Sequence, residues 1–492
     1  MNSSLKHRTA HSLKWNVIDR LLSQGLYAVT GIVLARELSQ EAFGLVGAIL
    51  VFQAFASLFV DSGFSYALIQ RKQPSPLDYS SVFWFNMLMA TTLYVVLWFC
   101  APLIADCFGA DERLIGLSRV MFLSFIFNAL GIVQTNRLMK RMNVRPIAAT
   151  NAAALFAGGV VGIWLAVDGY GAWALVWQTI TVAVVKTTLL WIWCRWLPMM
   201  RMSLKSLRSF MSVGMGMMLT SFLNTLFLNI YAFVIGNRSG LVNLGYYSQA
   251  DKWSKMGITS VTQVVTSSFL PSLAEVQDDD ERFRRIASKM NRFTAYLLFP
   301  AIGFLILMAT PLFHVLFGAK WDASIILFQL LLVRGVFTVF NALYNNYILS
   351  LGHARAIFGL EIFRDVVALG GIFIALPFIN LSTPDNIVYG LTLLLWGQVA
   401  ASFLTWIATL IVTIRLTHCS LRRFILDLAP YFCLTLLIMA CALPIMGLSM
   451  PDWLMLGILV IACPTVYLGI NALLRSKIQS EIFRMIFKRK IE

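Results

Sequence analysis

Long apolar stretches recur along the whole chain, separated by short polar segments. A helix needs about twenty mostly apolar residues to cross the roughly 30 Å hydrocarbon layer of a bilayer. The pattern predicts an all-α integral membrane protein with about 14 transmembrane helices. The predicted spans are 14–35, 42–63, 82–104, 114–136, 146–167, 172–193, 209–236, 246–270, 287–310, 323–350, 357–376, 387–413, 426–447 and 453–474.

Composition agrees with a chain that faces lipid. Of its 492 residues, 59% are hydrophobic and 13% are charged. Soluble domains carry about a quarter charged residues, so this chain lacks the polar surface that a soluble protein needs. The net charge of +16 lies in short patches between the spans. This placement is typical of cytoplasmic loops and argues against a nucleic-acid partner.

Lysines and arginines indicate which loops face the cytoplasm. With the N-terminus inside, 27 of them fall on the cytoplasmic side and five on the opposite side. The positive-inside rule then predicts that both termini are cytoplasmic. The five basic residues on the outer side are Arg36, Arg113, Arg119, Arg238 and Lys320.

The loops leave no room for a catalytic domain. No loop between predicted spans exceeds about twenty residues, and no Gly-rich phosphate loop ending in Lys-Ser/Thr is present. The seven cysteines form no CxxC pair, and the five histidines form no HExxH motif. The sequence therefore predicts no enzyme, no cofactor and no metal site. Function is expected within the helices.

Two segments resemble each other at an offset of 201 residues. Residues 33–46 align with residues 234–247: a span ends, a polar turn follows, and Gly44 or Gly245 opens the next span. Six spans separate the copies, so both have the same orientation. We predict two parallel six-helix lobes plus two C-terminal helices, an arrangement in which transporters bind substrate between the lobes. The predicted parts are 1–208, 209–413 and 414–492 with its basic tail.

Charged side chains inside the predicted spans are the candidate site residues. A charge at the centre of the bilayer costs about 3 kcal/mol on insertion scales, so each one is a functional candidate. The candidates for a substrate cavity are Asp19, Arg20, Asp61, Lys186, Asp251, Lys252, Lys255, Arg292, Arg334, Glu361, Arg364 and Asp365.

Some of these charges have a simpler explanation. Three of them, Asp19, Arg20 and Arg292, lie near cytoplasmic span ends, where a side chain can extend to the interface. Lys186 and Arg334 lie deeper and have no local partner, which favours a functional role. Walls that hold at least as many cations as anions suit an anionic substrate with phosphates or carboxylates.

Two pairs of candidates have the spacing of neighbours on one helix face. Asp251 and Lys255 are four residues apart, and Glu361 and Arg364 are three apart. Such pairs neutralise each other along a single helix.

Several motifs resemble a known family. Residues 34–38, Leu-Ala-Arg-Glu-Leu, with 43–45, Phe-Gly-Leu, resemble the N-terminal signature of the polysaccharide transporter branch of the MOP flippases. Residues 61–72, Asp-Ser-Gly-Phe-Ser-Tyr-Ala-Leu-Ile-Gln-Arg-Lys, are similar to the colanic acid exporter (Wzx-type) subgroup, as are 277–279 and 317–321.

The resemblance implies a MOP/MATE-like fold and a function. That function is translocation of undecaprenyl-pyrophosphate-linked oligosaccharide repeat units across the bacterial inner membrane, for exopolysaccharide or lipopolysaccharide biosynthesis, by alternating access. The implied partners are the lipid-linked oligosaccharide, membrane lipids, and the polymerase and export proteins of the same pathway. Family members line their cavity largely with spans 1, 2, 7 and 8.

Three other functions are weighed against this one. A cation-coupled multidrug antiporter of the same superfamily needs a lone, deep carboxylate, and Asp19 and Asp61 lie too near span ends. A membrane-embedded polymerase or transferase is disfavoured by the missing external loop. A structural partner in an assembly complex leaves the deep charges unexplained.

Overall fold

The computed structural model describes residues 3–61, 63–274, 279–381 and 389–481. Every regular element within these ranges is a helix. The chain divides into two compact units, Met1–Gly245 and Tyr246–Glu492.

The described residues of the first unit form nine helices and the first turn of a tenth. They are α1 (Ser3–Glu37), α2 (Gln40–Asp61), α3 (Phe64–Gln70), α4 (Pro76–Cys107), α5 (Arg113–Met121), α6 (Ser124–Lys140), α7 (Arg145–Val167), α8 (Ala172–Cys194), α9 (Leu204–Ser239) and α10 (Leu241–Ala274).

In the second unit, the residues that the structure describes form the rest of α10 and seven further helices, with short 3₁₀ turns at Ala319–Trp321 and Leu376–Leu381. They are α11 (Asp280–Leu307), α12 (Ala309–Leu316), α13 (Asp322–Ser350), α14 (Ala354–Ala375), α15 (Tyr389–Thr417), α16 (Leu421–Met446) and α17 (Asp452–Leu473).

The predicted all-α membrane fold is confirmed. Twelve helical segments of the described chain are long and apolar enough to cross a membrane. Two further long helices, α9 and α10, coincide with the predicted spans 209–236 and 246–270. The fourth predicted span is not one helix, because it breaks into α5 and α6 near Phe122. The division into six-helix lobes stays a prediction, and α9 lies in the first compact unit.

Two glycines allow α7 to pack closely against its neighbours. A Cβ on Gly159 would lie 2.6 Å from the Thr30 hydroxyl of α1. A Cβ on Gly158 would lie 2.9 Å from the Gln178 carbonyl oxygen of α8. Lipid gives apolar helices little reason to associate, so close van der Waals contact at small residues stabilises such bundles.

The two repeated segments touch each other where α2 and α10 begin. A Cβ on Gly44 would overlap the carbonyl oxygen of Leu241, and a Cβ on Gly245 would overlap that of Gln40. At the offset of 201 residues, Gln40 corresponds to Leu241 and Gly44 to Gly245. The contact is therefore reciprocal, as in an interface with two-fold symmetry. A weak sequence similarity thus marks a physical contact between its two copies.

A single imidazole joins three helices of the second unit. His314 of α12 lies 2.9 Å from Asp452, the first residue of α17, and 2.9 Å from Asp322, the first residue of α13. Burial acts to lower the pKa of His314, but the hydrogen bonds with Asp452 and Asp322 outweigh it and raise the pKa above the ordinary value of 6.5. A protonated imidazole donates from both nitrogens, so it can bind both carboxylates at once.

We expect His314 to make the stability of this junction depend on pH. Because its pKa is raised in the folded protein, its stabilisation is complete below about 6.5, the ordinary value, and is lost as pH rises through the folded pKa. His314→Asn should therefore lower the thermal midpoint in detergent at pH 5.5 and have little effect at pH 9. The loss at pH 5.5 should be about 1 kcal/mol at most, because the cluster is partly exposed. The matched control is exposed His353→Asn, and an equal loss at both pH values would contradict the assignment.

Candidate functional site

A polar cavity of about 580 Å³ lies within the first unit. It is lined by side chains of α2, α3, α6 and α8. Among the described residues that line it, Lys186 of α8 is the one with a charge. Its other polar lining residues are Gln53, Ser57, Ser65, Asn128, Thr135, Asn136 and Thr187. The cavity therefore offers many neutral hydrogen-bonding groups and one cation.

Contacts between helices hold several of these groups in place. Asn136 donates to the Ser65 hydroxyl over 2.7 Å, and Thr187 donates to the Phe127 carbonyl oxygen over 2.6 Å. Gln53 donates through Nε2 to Ser124 over 3.2 Å. Its Oε1 is buried, with no hydrogen-bond partner in the described part of the chain. A buried acceptor of this kind is able to receive a hydrogen bond from a ligand hydroxyl.

Asp19 of α1 is held by hydrogen bonds within its own helix and to α7. Its carboxylate accepts hydrogen bonds from Asn151 of α7 over 3.1 Å and from Ser23 over 3.2 Å. Asp19 forms no ion pair with Lys186 within the described part of the chain, and these two predicted residues are held by different contacts. Arg20 is partly buried, and the side chain of Asp61 lies outside the described residues.

The candidate pairs of the second unit are formed as their spacing allows. Asp251 and Lys255 lie 2.5 Å apart along α10. Arg364 lies 2.5 Å from Glu361 and 2.9 Å from Asp365 along α14. These five residues are thus partly or fully neutralised by their own helix.

The other candidates of the second unit differ in their surroundings. Lys252 lies over the ring of Trp253, 5.5 Å from its centroid. Arg334 has a buried Nε without a hydrogen-bond partner among the described residues, and the same holds for Oδ1 of Asn341 and Asn345. At i, i+7 and i+11 these three residues share one face of α13, so they form a polar strip with one cation.

Arg292 has a partner that the sequence interpretation missed. It lies 3.4 Å from Asp427 of α16, and the Ser288 hydroxyl donates to the same carboxylate over 2.5 Å. Asp427 is buried, so this cluster ties α11 to α16 and makes a structural role the better reading of Arg292. The position of Asp427, near the start of predicted span 426–447, was a visible signal, because an acid there needs a partner.

The cavity amides were missed for a different reason. Gln53, Asn128 and Asn136 are visible inside predicted spans, but membrane helices tolerate amides as partners for one another. A single helix does not show whether an amide faces a neighbouring helix or a cavity.

The basic end of the 61–72 motif has a structural role. Arg71 lies 3.6 Å from buried Asp78, and its guanidinium lies 5.0 Å from the ring centroid of Phe210. Lys140 donates to the carbonyl oxygens of Leu68 and other residues at the end of α3. Lys140 thus supplies hydrogen-bond donors to carbonyl groups at the C-terminal end of α3, where such groups lack partners within the helix.

The sequence and the fold both match known proteins. A model of the family described as polysaccharide biosynthesis protein matches residues 33–326. The succinoglycan biosynthesis transport protein ExoT of Rhizobium meliloti is 28% identical over 359 residues, 73% of this chain and 72% of that protein. The lipopolysaccharide biosynthesis protein WzxC of Escherichia coli is 25% identical over 373 residues, 75% of this chain and 76% of that protein. A structure of the lipid II flippase MurJ has a TM-score of 0.74 at 16% identity and covers 96% of this chain and 99% of its own.

Removal of the Asp427 carboxylate should destabilise the second unit. Asp427→Ala leaves the Ser288 hydroxyl and Arg292 without their shared acceptor, at a cost of about 1–3 kcal/mol. The thermal midpoint of the purified protein in detergent measures this loss. Glu281→Ala is the matched control, because its pair with Arg285 is exposed and contributes little. An unchanged midpoint in Asp427→Ala would return Arg292 to the substrate candidates.

Proposed function

This chain belongs to the polysaccharide biosynthesis protein family, and we propose on that premise that it is a flippase for lipid-linked oligosaccharide repeat units. The observation that carries the proposal is the similarity to ExoT, a named transport protein, over most of both chains. The membrane-spanning helices and the MurJ-like fold supply the architecture. The narrower assignment to the colanic acid exporter subgroup remains a prediction.

The first-unit cavity has the chemistry that such a cargo requires. Sugar hydroxyls lose their hydrogen bonds to water inside a bilayer, and each unpaired polar group costs several kcal/mol, roughly 2–7 by transfer measurements. The amides and hydroxyls around Lys186 can replace those bonds. Lys186 itself complements a carboxylate or a phosphate through a charge-assisted hydrogen bond.

The polar strip on α13 offers a second cation of the same kind. Arg334 lies on a membrane helix, and its Nε has no partner among the residues that the structure describes. A guanidinium binds planar anionic groups through two parallel hydrogen bonds. We propose that Lys186 and Arg334 each contact anionic parts of the cargo during transport.

The proposed location is the bacterial inner membrane, with both termini in the cytoplasm, as the lysine and arginine distribution predicts. The cargo would enter from the cytoplasm and leave on the outer face by alternating access. Polymerase and export proteins of the same pathway are the proposed partners. The names of the relatives describe transport and biosynthesis proteins, which supports a transporter rather than an enzyme.

A multidrug antiporter is less well supported. It would use a lone deep carboxylate to bind its coupling cation. Asp19, the carboxylate nearest to this description, accepts hydrogen bonds from Asn151 and Ser23. A carboxylate whose oxygens already accept these hydrogen bonds has less capacity to bind a coupling cation.

Loss of the chain should trap its cargo. Deletion should make lipid-linked repeat units accumulate on the cytoplasmic face, measured by protection of their sugars from a membrane-impermeant glycosidase. Lys186→Gln and Arg334→Ala should each lower export by about tenfold or more at unchanged membrane abundance, the loss expected for one charge-assisted hydrogen bond. Lys255→Ala tests whether a cation that is paired with Asp251 also contributes to export.

Arg285→Ala serves as the control for these variants, because Arg285 is exposed and pairs with an equally exposed Glu281. Wild-type export from both Lys186→Gln and Arg334→Ala would rule out the cationic contacts. An absence of accumulation after deletion would rule out the flippase itself.

A further inference from the structure

The reciprocal contact between α2 and α10 lies at one end of the membrane. It joins the first turns of both helices, directly after the turns that follow α1 and α9. The nearby basic residues Arg36 and Arg238 are two of the five that the charge distribution places outside. The contact is therefore assigned to the outer face of the membrane.

An aromatic cluster packs beside this contact. Phe52 of α2, Phe108 at the end of α4 and Phe233 of α9 form three edge-to-face pairs, with centroids 5.7 to 6.4 Å apart. Gly236 of α9 leaves the space that the Phe108 ring occupies. The three rings in mutual contact place apolar surface between α2, α4 and α9.

The glycine contact is formed by backbone rather than by interlocking side chains. A Cβ on Gly245 would lie 3.2 Å from the Gly44 backbone nitrogen, in addition to its overlap with the Gln40 carbonyl oxygen. The close approach of the two helix starts therefore requires glycine at both positions.

We propose that Gly44 and Gly245 form the outer gate of the transport path, with Phe52, Phe108 and Phe233 as its apolar plug. The proposal rests on the flippase function proposed above. Alternating access requires the outer end to be closed while cargo enters from the cytoplasm. The reciprocal glycine contact provides that closure, and export requires α2 to move away from α9 and the start of α10. Gly44 and Gly245 are positioning residues that do not bind cargo.

The test places a methyl group in the gate. In Gly44→Ala and Gly245→Ala the new Cβ meets a backbone carbonyl that cannot rotate away, so the helix starts stay apart. We expect export to fall by about tenfold in each variant, as for other overpacked sites. The double variant should fall little further, because both substitutions break one contact. Gly25→Ala of α1 is the matched control, since open space surrounds that position, and it should export normally.

A native cysteine reports the state of the gate. Cys107 ends α4 beside Phe108, and its carbonyl oxygen accepts a hydrogen bond from Asn237 of α9 over 2.6 Å. In a background where the other cysteines are replaced by serine, a membrane-impermeant maleimide added outside should label Cys107 faster in both glycine variants. Phe52→Ala, which removes one ring of the plug, should also raise the labelling rate at unchanged membrane abundance.

The outcomes separate the gate from the flippase proposal. Unchanged Cys107 labelling in Gly44→Ala, Gly245→Ala and Phe52→Ala would overturn the gate, whatever the export result. Faster labelling in these variants, with the Gly25→Ala control unchanged, supports the gate. If deletion of the chain causes no build-up of lipid-linked repeat units, the flippase proposal fails while the labelling result still decides whether the outer end opens.

Discussion

The absence of water from the hydrocarbon layer is the constraint on which the rest of this structure depends. A backbone group there has no solvent partner, so every segment that crosses must satisfy its own hydrogen bonds, and a helix does so. All regular elements in the part of the chain that the structure describes are helices. Specific contacts must then come from side chains and from glycines such as Gly158 and Gly159, which bring helices together.

The same constraint explains why charged side chains within the spans have partners in both units. Several intramembrane charges are paired, as Asp251 with Lys255 along one helix and Arg292 with Asp427 between helices. Pairing lowers the cost of keeping an ion away from water. Lys186, beside a cavity of neutral amides and hydroxyls, and Arg334, on its polar strip, are different. Neither residue forms an ion pair within the described part of the chain.

The internal repeat shows that a symmetric contact requires few identical residues in its two copies. The aligned segments share few residues, yet Gly44 and Gly245 occupy the same place in a reciprocal contact. A two-fold contact between backbones constrains only the positions where a Cβ would collide. Other positions of the repeat face different neighbours and are free to diverge.

The sequence alone determined the membrane spans, their approximate ends, the i,i+4 pairing of Asp251 with Lys255 and the resemblance to a flippase family, because span length and local spacing are properties of contiguous residues. Only the tertiary structure decided that Asp19 meets Asn151, that Arg292 meets Asp427, and that Lys186 shares a cavity with Gln53 and Asn136. These contacts join helices far apart in the chain. Helical periodicity gives the face on which a residue lies, but the packing of whole helices sets which faces meet.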